Sequence, residues 1–198
     1  MAKCLPNPKK VKRMIIRRKV FRTTAELIRE LDYADLTVRM ICAEADVSIG
    51  MFYRNFHSKD DVLTFFYEQI AEAYEREMRD HLAGMHIKDQ LIGFYSWVAR
   101  YAADFGLEFV RRFLNPNSVS IKSDYAENQV VSIGKALLDG AVDRGEITLS
   151  DNCTTFDVTH DILIIVKGSM LDWAITGGTY DLPDYVQAFL AKTIKCLL

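Results

Sequence analysis

The sequence predicts an all-α protein of about nine helices. Apolar residues recur at helical spacing along almost the whole chain of 198 residues, no alternating run is long enough for a strand, and capping residues precede the apolar runs. From about Lys9 to Leu31, Val20, Phe21, Leu27, Ile28 and Leu31 make one apolar stripe, while Arg17, Arg18, Lys19 and Arg22 take the remaining circumference. The first helix is therefore amphipathic and basic. Asp32-Tyr33-Ala34-Asp35 ends it, and Thr37 stands as the N-cap of a short second helix running to about Ala45. After the tight connection Asp46-Val47, Ser48 caps a third short helix that reaches Asn55. Ser58 followed by Asp61 resembles a capping box with aspartate for the usual glutamate, so a fourth helix should start there and extend to about Leu82. Its Val62, Leu63, Phe66 and Ile70 can pack back on the first three helices.

Beyond Gly84 the composition turns aromatic, with Phe94, Tyr95, Trp97, Tyr101, Phe105, Phe109 and Phe113 in close succession. A second domain is expected here, giving a division into residues 1–70 and 71–198. Helices are expected at about Asp89 to Phe105, Leu107 to Leu114, Ser123 to Arg144, Thr154 to Ile175 and Pro183 to Leu197. Asn115-Pro116-Asn117, Gly145 and Gly177-Gly178 punctuate them. Pro183 suits a first helical turn, where its missing amide hydrogen costs nothing.

Composition and charge narrow the function. A hydrophobic share of 49% is ample for a packed core. The net charge of -2 hides an asymmetry, because residues 1–22 carry nine basic residues and no acid. Such a patch is the footprint of an anionic partner, whereas the acidic remainder disfavours indiscriminate binding over the entire surface. Cys4, Cys42, Cys153 and Cys196 are far apart, without CxxC pairing or a secretory leader, which points to the reducing cytoplasm. The most apolar window, Asp161 to Ala174, is interrupted by Lys167 and Asp172 and is shorter than the roughly 20 residues of a membrane span. No membrane association is expected.

Two short helices joined by a tight turn match a helix-turn-helix, whose second helix enters the DNA major groove. Val38, Ile41 and Ala45 can bury one face of the first helix, Val47 can plug the turn, and Phe52 and Phe56 can anchor the second from beneath. The outer face is then left for DNA. Gly50 removes a side chain where a backbone approaches closely, and Ile49 and Met51 offer apolar surface to thymine methyls. Tyr53, Arg54, Thr37, Arg39, His57 and Lys59 can reach phosphates.

The stretch "LTVRMICAEADVSIGMFYRNFHSKDDVL" resembles the amino-terminal domain of the TetR family of bacterial transcriptional regulators. The likeness lies in a Thr-Val start, an Ile-Ala-like pair, an Ala-Gly-Val-Ser turn, a Gly-x-Phe/Leu-Tyr-x-x-Phe helix and a Ser-Lys-Glu/Asp cap. It covers about residues 10–70. The resemblance implies a three-helix DNA-binding domain and a longer fourth helix leading to a helical domain that senses a ligand and dimerises. It also implies that Thr37, Arg39, Ser48, Gly50, Met51, Tyr53, Arg54 and Lys59 face DNA. Asp46 and Asp32 stand where the family commonly has glycine; aspartate tolerates a left-handed backbone better than most residues, so both turns should survive.

In the second half, "GAVDRGEI" and "IVKGSMLDWAITGGTYDL" are weaker echoes of the family. Trp97, Tyr101, Phe105 and Phe109 recur every four residues and should share one helical face. That stripe is either core or one wall of a pocket for an apolar or aromatic small molecule, with Tyr125, His160, Met170 or Trp173 opposite. Ile162, Ile165, Val166, Met170, Phe189, Ile194 and Leu197 on the last two helices suit a two-fold dimer interface, or closure of the chain's own core. His81 and His86 are five residues apart, the wrong spacing for one helix face, and Asp157, His160 and Asp161 lack a nucleophile, so neither metal, cofactor nor enzyme chemistry is expected. Asp157 should be solvated. The sequence thus reads as a homodimeric repressor that binds a double-stranded operator and is released by a small effector; the alternative is a helical small-molecule carrier or enzyme whose helix-turn-helix is only scaffold.

Overall fold

The computed structural model describes residues 8–114, 128–150 and 152–198. The described residues form ten helices and no strand. They are α1 (Pro8–Glu30), α2 (Val38–Glu44), α3 (Ile49–Tyr53), α4 (Lys59–Glu77), α5 (Arg79–Leu82), α6 (Ile87–Ala103), α7 (Leu107–Phe113), α8 (Gln129–Asp143), α9 (Thr155–Ile175) and α10 (Leu182–Leu197). Contacts divide the chain into two compact units, Met1–Phe66 and Tyr67–Leu198, and α4 runs across the division. The expected turn at Asn115-Pro116-Asn117 and the expected helix start at Ser123 lie outside the described residues.

The extra helix arises from a break in the expected fourth one. Met78 has φ -118 and is set off from the helical backbone on either side. Yet Met78 donates to Tyr74 (2.9 Å) and Leu82 donates to Met78 (2.9 Å), so the hydrogen-bond chain continues across the break. Ser58 accepts from the Asp61 amide (3.0 Å), as a cap should, but the Asp61 carboxylate reaches one residue further back, to the His57 amide (2.7 Å).

In the first unit, Val20, Phe21, Ile28, Leu36, Ile41, Phe52, Phe56, Leu63 and Phe65 form a closed core. Leu27 and Leu31, assigned to the α1 stripe by periodicity, are only half-buried, and Thr23, Thr24 and Ala25 are buried instead. A helix can bury Thr24 because its hydroxyl returns a hydrogen bond to the Val20 carbonyl, 2.8 Å away.

In the second unit α6 is the central helix, packed by α10, α8, α9, α5 and α7. Leu91, Phe94, Tyr95 and Ala99 are fully buried. The Tyr95 hydroxyl sits so close to Gly134 of α8 that a Cβ there would lie 2.2 Å from it, which only glycine allows. Burial pushes that hydroxyl well above the ordinary tyrosine range. Gly106, at φ 95, adopts a backbone that L side chains rarely take and so separates α6 from α7.

Capping settles two acids that sequence reasoning treated lightly. Asp157 is not merely solvated: it closes a capping box with Thr154, accepting from that residue's amide (2.8 Å) and hydroxyl (2.6 Å). Those bonds lower its pKa. Glu146, just past α8, accepts from the Ile87 amide (2.6 Å) at the start of α6 and pairs with Arg144 (2.9 Å), and these contacts hold its carboxyl below its ordinary value of 4.5. A carboxylate with a depressed folded pKa contributes its full stability above the unfolded value and loses it as pH falls through the folded one. The melting temperature should therefore drop as pH is lowered from 4.5, and Glu146→Gln should flatten that decline in a calorimetric pH series while lowering stability at pH 7.

Candidate nucleic-acid interface and effector cleft

The caps assigned to the first unit are formed. Thr37 accepts from the Met40 amide and Ser48 from the Met51 amide, each at 3.2 Å. Between them Asp46 takes φ 45, so aspartate does occupy a left-handed turn position there, and Val47 donates to the Cys42 carbonyl at 3.0 Å. Asp32 works differently. It is not left-handed, and instead its carboxylate accepts from the Ala34 amide (2.9 Å) in a local turn.

α3 has five residues and is held from below. Phe52 is fully buried, and its ring lies 5.8 Å from Phe56, which lies 6.1 Å from Phe65, which in turn lies 5.8 Å from Phe21. The Arg17 guanidinium is turned inward over the Phe56 and Phe65 rings, 5.1 and 4.5 Å from their centroids, so it leaves the outer basic face to its neighbours. Asn55 closes the helix by donating to the Met51 carbonyl (2.7 Å).

What remains outside is the candidate reading face. Ile49 and Tyr53 are 44% and 54% exposed, Gly50 and Arg54 are exposed, and Met51 is half-buried. A Cβ added to Gly50 would meet nothing within 4 Å, so the protein itself does not require glycine there. Thr37, Arg39, Ser48 and His57 are exposed around it, as are Lys12, Arg13, Lys19 and Arg22 on α1.

Lys59 has a different principal task from the one its sequence position suggests. Its ammonium donates to the Tyr33 (2.6 Å) and Leu36 (2.8 Å) carbonyls and lies 4.3 Å from the Tyr33 ring. Tyr33 in turn donates to the Asp60 carboxylate at 2.6 Å. The start of α4 thus pins the α1–α2 turn. Sequence reasoning missed this because Tyr33 and Lys59 are 26 residues apart and neither belongs to an apolar repeat.

In the second unit the expected stripe forms a ring ladder. Successive centroids are 5.4 Å apart for Trp97–Tyr101, 5.4 Å for Tyr101–Phe105 and 4.9 Å for Phe105–Phe109, and Phe113 extends it at 5.7 Å. Trp97 and Phe109 are buried and the middle pair half-buried. The residues proposed opposite are dispersed in role. Met170 is core, His160 stacks on Phe156, and Trp173 donates its indole N–H to the Tyr180 carbonyl (2.9 Å). Tyr125 lies outside the described residues. Trp97 also lines a cleft of about 610 Å³ formed by the end of α4, α5, α6 and the start of α10.

Of the two roles expected for the apolar residues of the last two helices, interface or own core, the structure gives several of them the second. Ile162, Val166, Met170 and Ile194 belong to the unit's own core, and Ile165 and Leu197 are half-buried. The outer face carries Phe156, Ile164, Leu171 and Ile175 on α9, with Tyr185 and Phe189 on α10. Periodicity alone cannot separate these sets, because α9 is apolar on both sides.

Residues 20–64 match the model of the bacterial regulatory proteins, tetR family. Those residues carry the likeness to the TetR family. It is 30% identical over 69 residues to the HTH-type transcriptional regulator HbdR of Aromatoleum sp. (strain CIB), a match spanning 35% of this chain and 30% of that protein. The TetR fold extends over the second unit. Thermus thermophilus FadR, a TetR-family repressor in complex with lauroyl-CoA, superposes with a TM-score of 0.70 at 23% identity, covering 91% of this chain and 92% of that one. Bacillus subtilis FadR in complex with stearoyl-CoA gives 0.67 at 20% identity, covering 87% and 96%.

The Lys59 pin should be visible in stability. Lys59→Met keeps most of the side-chain volume but leaves two carbonyls without their donor, which costs about 1–3 kcal/mol for a part-buried pair. A circular-dichroism melt should show the loss as several degrees, whereas an unchanged melt would mean that the pin carries no load.

Proposed function

We propose that this chain is a dimeric DNA-binding transcriptional regulator, a repressor released from its operator by a small apolar or aromatic effector. Residues up to about 70 hold an operator half-site, and the remainder takes the effector and a second copy of the chain. The observation that carries the reading is the outer face of α3. A five-residue helix is anchored by one fully buried phenylalanine while Ile49, Gly50, Tyr53 and Arg54 are left outward beside a basic α1. Exposed apolar and aromatic side chains around an unneeded glycine suit close approach to base edges and phosphates. The likeness to HbdR and to the two FadR structures supports a regulator whose second unit holds a ligand.

Dimerisation follows from the geometry of DNA. A helix-turn-helix reading one half-site gains affinity and register from a two-fold partner about 34 Å away along the duplex. Phe156, Ile164, Leu171 and Ile175, continued by Tyr185 and Phe189, supply an apolar face suited to that partner.

Gly50→Ala separates DNA contact from folding. The added methyl meets nothing in the protein and should leave the melting temperature equal or slightly raised, by up to about 1 kcal/mol of helix propensity. Fluorescence anisotropy with a duplex from the region upstream of the gene should nevertheless show weaker binding, as should Tyr53→Ala, and binding should fall steeply with salt. If no duplex binds even at low salt, the carrier reading replaces this one. For the dimer, Ile164→Glu with Leu171→Glu should convert a sedimenting dimer into a folded monomer; a wild-type chain that is monomeric at micromolar concentration would contradict the two-fold arrangement.

A further inference from the structure

We propose that Ile49 is the specificity-determining residue of α3 and that it selects the 5-methyl group of thymine, so that the half-site is specified at that step by a methyl and not by a hydrogen bond. This deepens the proposed regulator and rests on it. The inference comes from what the side chains around α3 are already doing. Arginine or lysine reads guanine and asparagine or glutamine reads adenine through paired hydrogen bonds, whereas a thymine methyl is read by apolar contact. The groups beside α3 that could make such bonds are largely committed within the protein. Asn55 donates its carboxamide to the Met51 carbonyl (2.7 Å), and Lys59 donates to the Tyr33 (2.6 Å) and Leu36 (2.8 Å) carbonyls. The Arg17 guanidinium lies over the Phe65 ring, 4.5 Å from its centroid, and the Ser48 hydroxyl accepts from the Met51 amide at 3.2 Å.

The first turn of α3 therefore turns an apolar surface outward. Ile49 is 44% exposed, Gly50 beside it carries no side chain in open space, and Met51 is half-buried. Leading residues of a reading helix meet base edges, while the helix before it crosses the backbone. Ile49 holds the leading position. The exposed cations Arg39, on α2, and Arg54, the C-cap of α3, fall where phosphates run. Tyr53, one turn beyond Ile49, is braced edge-on by the Phe52 ring at 5.4 Å. The partner that covers Ile49 is set by charge: Lys12, Arg13 and Arg22 are exposed on a helix that has no acid before Glu26, which favours a duplex over an apolar protein surface.

Burying one methyl is worth about a factor of four in affinity, or about fifteenfold over the two half-sites of a dimer. The probe is the duplex from the region upstream of the gene, prepared once with thymidine and once with deoxyuridine throughout, which removes every 5-methyl group and keeps the pairing and charge. In fluorescence anisotropy over excess unrelated competitor duplex, the full chain should bind the thymine form about fifteenfold more tightly than the uracil form. Ile49→Ala should weaken binding to the thymine duplex by a similar factor and bind both forms equally. Its salt dependence should match that of the unaltered chain, because no phosphate contact is lost. Ile49→Val should keep part of the discrimination, and melts of both variants should stay at the unaltered temperature. Equal affinity of the unaltered chain for the two forms, or a uracil penalty that persists in full in Ile49→Ala, would overturn the methyl reading and leave the regulator standing. No binding to either form would refute both.

Discussion

A helix of five residues has too few internal hydrogen bonds to hold itself together, because the cost of nucleation is spread over so little propagation. Everything presented by α3 therefore depends on the contact beneath it, the buried Phe52 and Phe56 rings packed on Phe65 and Phe21. Each such ring contributes about 1.5–3 kcal/mol by burial, more than the helix could gain from its own backbone. Arg17 strengthens the same cluster by covering two of the rings. With the inner face committed in this way, Ile49, Gly50, Tyr53 and Arg54 are left on the outside. The Thr37 and Ser48 hydroxyls and the Lys59 pin then fix where α2, α3 and the turn before them begin.

The second unit applies the opposite strategy. α6 is long enough to be stable within its packing and is surrounded by five helices, so its faces can be specialised. One carries Tyr95 into contact with Gly134, and another lines the cleft with Trp97. Glu146 ties the start of α6 to the end of α8, so a carboxylate outside both helices sets where the central helix begins.

Much of this was legible in the chain. The caps at Thr37 and Ser48, the left-handed Asp46 and the ring ladder from Trp97 to Phe109 follow from local spacing, which one-dimensional patterns encode well. What escaped was long-range or two-sided. The Tyr33–Lys59 and Ile87–Glu146 bonds join residues 26 and 59 positions apart, with no periodic trace. α9 is apolar around most of its circumference, so pattern alone left residues such as Ile162 and Val166 undecided between core and interface and passed over Ile164 and Leu171. The cleft is assembled from three separate stretches, and no one of them looks like a site.

The central claim is that the surface around α3 is the one this chain offers to DNA. Hydrogen–deuterium exchange with and without the upstream duplex tests it most directly. Added protection should concentrate in residues 37–59 and the basic part of α1, with the α6 amides unchanged. Protection confined to the second unit, or none at a duplex concentration that saturates binding, would contradict it.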